Sequence, residues 1–316
     1  MRRVLLATAR VAALAALAVM STSAQSAPPQ VRRPADQVYR AGVEMVSLSV
    51  TVLDQQSRYL TDLDSKDFLI YEDGAKQELS YFNRTTLPIA LSLLLDTSAS
   101  MEQRMLTAQD AAVGFARKLR PQDLAQIVDF DTRVEILQDF TADAGALEKA
   151  IRSAEAGGST SMYNALYISL KGLAKIKATS DDDVRRRAVV LLSDGEDTSS
   201  LVTFEEVLDL AKRSATTIYS IGLQSKDTGP SKGFREAEFV LRQLAQETGG
   251  RAFFPQRVED LAGIYGVIAD ELASQYTLGY ASTNAKRDGS WRRLTVQTNR
   301  QGTTARTKRG YFAPTS

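Results

Sequence analysis

Residues 91–101 read L-S-L-L-L-D-T-S-A-S-M, an apolar run that stops at Asp96 and gives way to Ser98 and Ser100. A leucine-rich run, apolar on both faces, suits a central parallel strand covered by helices on either side. Such strands carry their chemistry in the loops at their carboxyl ends. Asp96, Ser98 and Ser100 fall in that loop. Their hard oxygens are the kind that small divalent cations take, and the helix expected to follow would aim its positive N-terminal dipole at a bound anion.

Beyond the loop, Met105, Ala108, Ala112, Phe115, Ala116 and Leu119 recur at helical spacing until Pro121 ends the pattern. Residues 124–130 and 134–137 read as a strand and a short antiparallel neighbour, and residues 144–154 as a helix. Gly157-Gly158-Ser159-Thr160 opens a further helix whose buried stripe is Leu166, Leu170 and Leu173. A glycine pair ahead of a helix lets backbone approach a ligand closely. Residues 188–192 form a second wholly apolar run, ending at Ser193-Asp194-Gly195-Glu196-Asp197, so two central strands each deliver an aspartate at the carboxyl end. Thr203-Phe204-Glu205-Glu206 is a capping box for a helix over 204–214. A strand at 217–222, a helix through Phe239, Leu241 and Leu244, a strand at 251–254 and a helix at 261–272 complete the series. This alternation predicts an α/β fold with a doubly wound, mostly parallel sheet.

The flanks are different in kind. Val46, Leu48, Val50 and Val52 alternate with Ser47, Ser49 and Thr51, the pattern of a half-buried strand. Residues 68–71 and 79–82 flank Glu72-Asp73-Gly74-Ala75, and Asp-Gly between such runs signals a hairpin. After the last helix, residues 275–280, 292–298 and 304–308 return to short strand-like runs. Each flank has too few strands to be stable alone, and domain termini often lie close together. The two are therefore expected to pair into one immunoglobulin-like β domain with the α/β unit inserted between them. The basic residues of the second flank, among them Arg292, Arg293, Arg306, Lys308 and Arg309, read as the outward, charged face of a β-hairpin, with a polyanion contact as the alternative reading.

Lys and Arg number 39 and Asp and Glu 38, a balance that gives no reason to expect nucleic acid as a partner. The chain has neither His nor Cys, which removes Ser-His and Cys-His catalysis, thiolate nucleophiles and the usual zinc sites. Residues 1–27 have a basic start, a short apolar run and small residues near the end, as a secretory signal peptide does; that run is too short for a transmembrane anchor. The expected organisation is a signal peptide at 1–27, a flexible lead at 28–42, a β segment at 43–84, the α/β domain at 88–273 and a second β segment at 275–313. An exported chain, periplasmic or secreted, follows.

Asp96-x-Ser98-x-Ser100, Thr160 behind its glycines and Asp194 come from three loops at one edge of the expected sheet. Together they resemble the metal-ion-dependent adhesion site (MIDAS) of von Willebrand factor type A domains, over residues 88 to about 273. The flanking sequences, including D-S-K-D-F-L-I-Y-E-D-G-A-K-Q and R-G-Y-F-A-P, resemble exported proteins of this kind from Acidobacteria. The resemblance implies that Ser98, Ser100 and Thr160 coordinate Mg2+, with Mn2+ or Ca2+ as alternatives. Asp96 and Asp194 would act mostly through bound waters. Ser159, beside Thr160, is a departure that offers a second hydroxyl, and Asp197 is expected to brace its loop rather than ligate.

Such a cation, held by neutral hydroxyls and water-bridged carboxylates, stays electrophilic and still wants an acidic oxygen. The resemblance implies that a partner protein's Asp or Glu supplies it, in a non-enzymatic adhesion module. Two other readings compete. One is a Mg2+-dependent phosphohydrolase with Asp96 as nucleophile, disfavoured because Ser98 stands where a second acid would protonate the leaving group. The other is a metal-free structural scaffold. The partner's identity and the oligomeric state are not legible in the sequence.

Overall fold

The computed structural model describes residues 45–84, 87–176, 184–223 and 232–315, so the signal-peptide and lead segments expected at 1–27 and 28–42 lie outside the described residues. In chain order, β1 (Met45–Leu53), β2 (Phe68–Glu72), β3 (Ala75–Gln77) and β4 (Leu79–Asn83) come first. The α/β unit follows with β5 (Ile89–Asp96), α1 (Met105–Ala116), β6 (Leu124–Phe130), β7 (Val134–Thr141), α2 (Ala144–Ser153), α3 (Met162–Lys175), β8 (Arg186–Ser193), α4 (Phe204–Arg213), β9 (Thr216–Gly222), α5 (Lys232–Thr248), β10 (Ala252–Phe253) and α6 (Leu261–Ser274). The chain closes with β11 (Tyr276–Ala281), β12 (Trp291–Thr298), β13 (Thr304–Arg306) and β14 (Gly310–Phe312).

The six-stranded sheet runs β10-β9-β8-β5-β6-β7, parallel except for the edge strand β7. All eight residues of β5 are buried, as expected for a strand covered on both faces. Its period of two divides them: Leu91, Leu93 and Leu95 pack with α1, α2 and α6, while Ala90 and Leu94 pack with α3, α4 and α5. Before the terminal Asp96, Ser92 interrupts the apolar run, and its buried hydroxyl accepts a hydrogen bond from Gln126 Nε2 at 2.7 Å. Successive strands depart from β5 in opposite directions, to β6 on one side and β8 on the other. The switch point therefore lies between β5 and β8, where open α/β sheets place their sites.

The flanks form two antiparallel sheets, β13-β1-β11-β4 and β14-β12-β2-β3, each drawing strands from both ends of the chain. One core joins them: Leu48, Val50, Phe68 and Ile70 pack against Tyr276, Leu278, Tyr280, Leu294 and Val296. The hairpin differs from the expected one. The Asp73-Gly74 turn does fold back on itself, but β2 pairs with β3, and the run at Leu79–Asn83 crosses to pair with β11 in the other sheet. The reason is length: three residues suffice to pair β2, and the apolar residues that follow can be buried only in the facing layer.

Among the basic residues of the second flank, Arg293 and Arg309 are exposed as expected, and Arg292 is not. Arg292 is 2% exposed and lies 3.2 Å from the equally buried Glu72, whose carboxylate also accepts hydrogen bonds from Tyr280, Ser282 and Tyr311 at 2.7–2.9 Å. Burial alone would push the Glu72 carboxyl up; those hydrogen bonds and the Arg292 guanidinium turn the net shift downward.

Arg306 pairs with Glu271 of α6 and ties the β domain to the α/β unit. Glu271 is fully buried and also accepts from Tyr219 Oη of β9 at 2.8 Å and from Thr51 Oγ1 of β1 at 3.4 Å. A carboxylate taken out of water is tolerable only while such partners hold it. Glu271→Ala leaves the Arg306 charge desolvated and unpaired. The expected loss is about 3 kcal/mol of unfolding free energy, read from urea denaturation.

Candidate functional site

Asp96 ends β5 and Ser193 ends β8, so the pairing of these strands brings the two loops of the switch point together. The Asp96 carboxylate is buried. Its Oδ1 accepts from Ser98 N at 2.9 Å, which turns the chain sharply out of the strand, and its Oδ2 accepts from Ser193 Oγ at 2.6 Å. Ser98 Oγ lies 3.1 Å from Ser100 Oγ, and Ser100 Oγ donates to Asp194 Oδ1 at 2.7 Å. Asp96, Ser98, Ser100 and Asp194 therefore form one connected polar group.

Thr160 reaches this edge by its backbone. Gly157 N donates to Thr97 O at 2.7 Å and Ala99 N to Gly158 O at 3.2 Å, which lashes the glycine loop to the Asp96 loop. Gly158 takes φ +72°, and a Cβ there would stand 2.6 Å from Thr132 Oγ1 in the β6–β7 turn. Only glycine fits so close an approach at that φ. Thr160 itself is 6% exposed, and its carbonyl accepts from Thr198 N and Ser199 N. Among the described residues, no hydrogen bond links its hydroxyl to the other four. Asp197 accepts from Tyr163 N, in the first turn of α3, at 2.8 Å and from Ser200 Oγ at 2.6 Å, so it braces its loop against that helix.

Two residues of the site carry no motif of their own. Ser193 was visible only as the residue before Asp194, and its role as the donor to Asp96 depends on β5 and β8 being neighbours. Arg104, one turn beyond Ser100, donates to Asp194 Oδ2 at 2.8 Å. An arginine at the start of a helix reads as solvated in the sequence; here three-dimensional closure delivers it to a carboxylate from another loop.

Burial pushes the Asp96 carboxyl up to about 6, against hydrogen bonds from Ser193 and Ser98, with the Asp194 charge adding to the rise. Asp194 is likewise raised by burial, with Ser100 and Arg104 opposing. Two desolvated acids of like charge favour a cation between them. The donor set agrees. Octahedral coordination with bonds of about 2.0–2.1 Å puts adjacent ligand oxygens about 2.9 Å apart, and the Ser98 and Ser100 hydroxyl oxygens lie 3.1 Å apart. Among the described residues no group of three or more His, Cys, Asp or Glu side chains is placed to hold a metal, so a cation here must rely on hydroxyls alongside the two acids.

Arg104 competes with any cation for Asp194 and adds positive charge beside it. Arg104→Ala is expected to tighten Mg2+ binding about tenfold in calorimetric titration at fixed ionic strength.

At the end of β6, burial pushes Asp129 up to about 6, and Glu135 and Asp131 add to the effect. A carboxyl raised in the folded state binds its proton more tightly folded than unfolded, so stability falls as pH rises from about 4 through about 6. Asp129→Asn is expected to add about 1 kcal/mol at pH 7, partial exposure discounting the full shift, and to flatten this part of the pH–stability curve.

Residues 91–196 match the sequence profile of the von Willebrand factor type A domain, and the chain carries a domain of that family. The uncharacterized protein sll0103 of Synechocystis sp. is 34% identical over 113 residues, 35% of this chain and 26% of that protein, so the match spans about a quarter of the relative's length. A von Willebrand factor type A structure from Catenulispora acidiphila superposes with a TM-score of 0.52 at 11% identity, covering 88% of this chain and 76% of that one. Mussel byssus proximal thread matrix protein 1, solved with zinc occupying its MIDAS motif, gives a TM-score of 0.49 at 16% identity over 60% of this chain and 49% of that one.

Proposed function

We propose that this type A domain is a metal-dependent protein-binding module in which Ser98, Ser100 and Thr160 hold Mg2+, or Mn2+ or Ca2+ in its place, and a partner protein's Asp or Glu completes the shell. The observation that carries this reading is the connected group of Asp96, Ser98, Ser100, Asp194 and Ser193 at the switch point. Type A domains are commonly metal-dependent interaction modules, and Ser98 Oγ and Ser100 Oγ, 3.1 Å apart, fit adjacent positions of one octahedral shell. When bound, the cation supplies an electrophilic point for a carboxylate oxygen.

The chain's own residues do the rest. Asp96 and Asp194 offer negative charge beneath the hydroxyls, Ser193 fixes the Asp96 carboxylate, and Asp197 and the Gly158 turn hold the Thr160 loop against the Ser98 loop. A chain without His or Cys lacks the common proton shuttles and thiol nucleophiles, which favours binding over turnover. The basic, then apolar, N-terminus favours export, to the periplasm or the cell exterior. Among the described residues no helix is long and apolar enough to cross a membrane.

Ser98→Ala and Asp96→Ala are expected to weaken Mg2+ binding more than about tenfold in calorimetry, with the far-ultraviolet circular dichroism unchanged. Both are expected to abolish cation-dependent capture of a protein from envelope extracts. Capture that survives EDTA would count against the proposal, and phosphate release from an ester panel, lost in Asp96→Ala, would replace it with the hydrolase reading.

A further inference from the structure

We infer that the cleft between the α/β unit and the β domain, at the end of the sheet opposite the Asp96 site, binds a phosphate-bearing small molecule. The cleft has a volume of about 740 Å³, and Lys212, Arg213, Lys286, Arg287, Arg292 and Lys308 contribute to its wall without a single Asp or Glu among its lining residues. The cations come from separate parts of the chain: the end of α4, the β11–β12 connection, β12, and the turn between β13 and β14. A second hollow of about 170 Å³, at the starts of β8 and β9, shares Lys308 and Lys212 with it.

Most of these charges are already answered. Arg292 pairs with Glu72, Arg213 with Asp209 and Lys212 with Glu247, the last carboxylate also facing Arg309. Lys308 has no such counter-charge. Among the described residues no carboxylate lies within ion-pair distance of its ammonium, and the face of the Tyr311 ring stands 6.0 Å from Nζ to the centroid. Its backbone is locked in place: Gly249, at φ +83°, sits so close that a Cβ there would stand 2.5 Å from Lys308 N.

The surrounding protein desolvates this ammonium and draws its pKa down to about 8. A cation in that position is costly unless an anion faces it. Lys308 is half-buried, and an unpaired lysine lining two hollows and flanked by further cations marks a place for a multiply charged anion. Ser47, Asn284 and Thr315 add hydroxyl and amide groups to the same wall, suited to the polar body that carries the phosphate.

The test titrates the whole mature chain at constant ionic strength with inorganic phosphate, with glucose 6-phosphate and with phosphatidylglycerol vesicles. Saturable one-to-one binding of a soluble probe is expected. Response to vesicles alone would assign the phosphate to a lipid headgroup, and a response to the soluble probes alone would assign it to a free metabolite. Lys308→Met, which keeps an apolar stem of similar length, is expected to weaken binding about tenfold with no loss of thermal stability in probe-free buffer. Lys286→Ala, at a more exposed position, is expected to weaken it less. Absence of saturable binding by all three probes, or equal affinity in wild type and both variants, would overturn the inference. Mg2+ titration of Lys308→Met separates the two sites, since it is expected to match wild type.

Discussion

The 2.6 Å hydrogen bond from Ser193 Oγ to Asp96 Oδ2 ties together the ends of the two strands between which the sheet reverses its order. Asp96 is buried among leucine-bearing strands, where an ionised carboxylate is tolerable only with donors around it or a cation beyond it. Ser193 from one strand and Ser98 N from the next turn answer part of that demand. Everything else at this edge is arranged around the remainder: Ser98 and Ser100 face Asp194, and the glycine loop is lashed to the backbone of Thr97 and Ala99. The polar group follows from a strand that is otherwise too apolar to hold an acid.

A second buried acid, Glu271, does for the two halves of the molecule what Asp96 does for the sheet. Tyr219 comes from the α/β sheet, Thr51 and Arg306 from the β domain, and all three converge on one carboxylate of α6. Because α6 also packs on α1 through Tyr265 and Phe115, with ring centroids 5.1 Å apart, the helix behind the Asp96 loop is mechanically continuous with the β domain. The chain leaves α6 directly into β11, so this junction is covalent as well as polar. The cleft around Lys308 lies along the same boundary, where cations from both halves meet.

The sequence and the structure part company in an orderly way. β5, β8 and the capping box at Thr203 were legible because each depends on a local pattern: a run apolar on both faces, or a hydroxyl three residues before a glutamate. The failure of the expected hairpin had a different origin. Asp73-Gly74 announces a turn, but nothing local says which later run pairs across it, and the β2–β3 pairing depends on where the apolar side chains of β4 find a core. Two arginines of the second flank depart from their expected place for the same reason. Arg292 and Arg306 are strand residues with solvent-like spacing, and their turning inward follows from Glu72 and Glu271, about 220 and 35 residues away in sequence.

By itself, then, the sequence determined the α/β alternation, the flanking β segments, the candidate oxygens at Asp96, Ser98, Ser100, Thr160 and Asp194, and the absence of His and Cys from the whole chain. These are matters of composition and of short-range spacing, which backbone geometry converts directly into strands, helices and strand-end loops. Only the tertiary structure decided that Ser193 and Arg104 contact the two strand-end aspartates, that Arg292 and Arg306 are counter-charges to buried acids, and that Lys308 is left without one. Each is a relation between residues far apart in the chain. Burial and pairing are properties of the surroundings that folding assembles, and no local pattern encodes which charge will meet which.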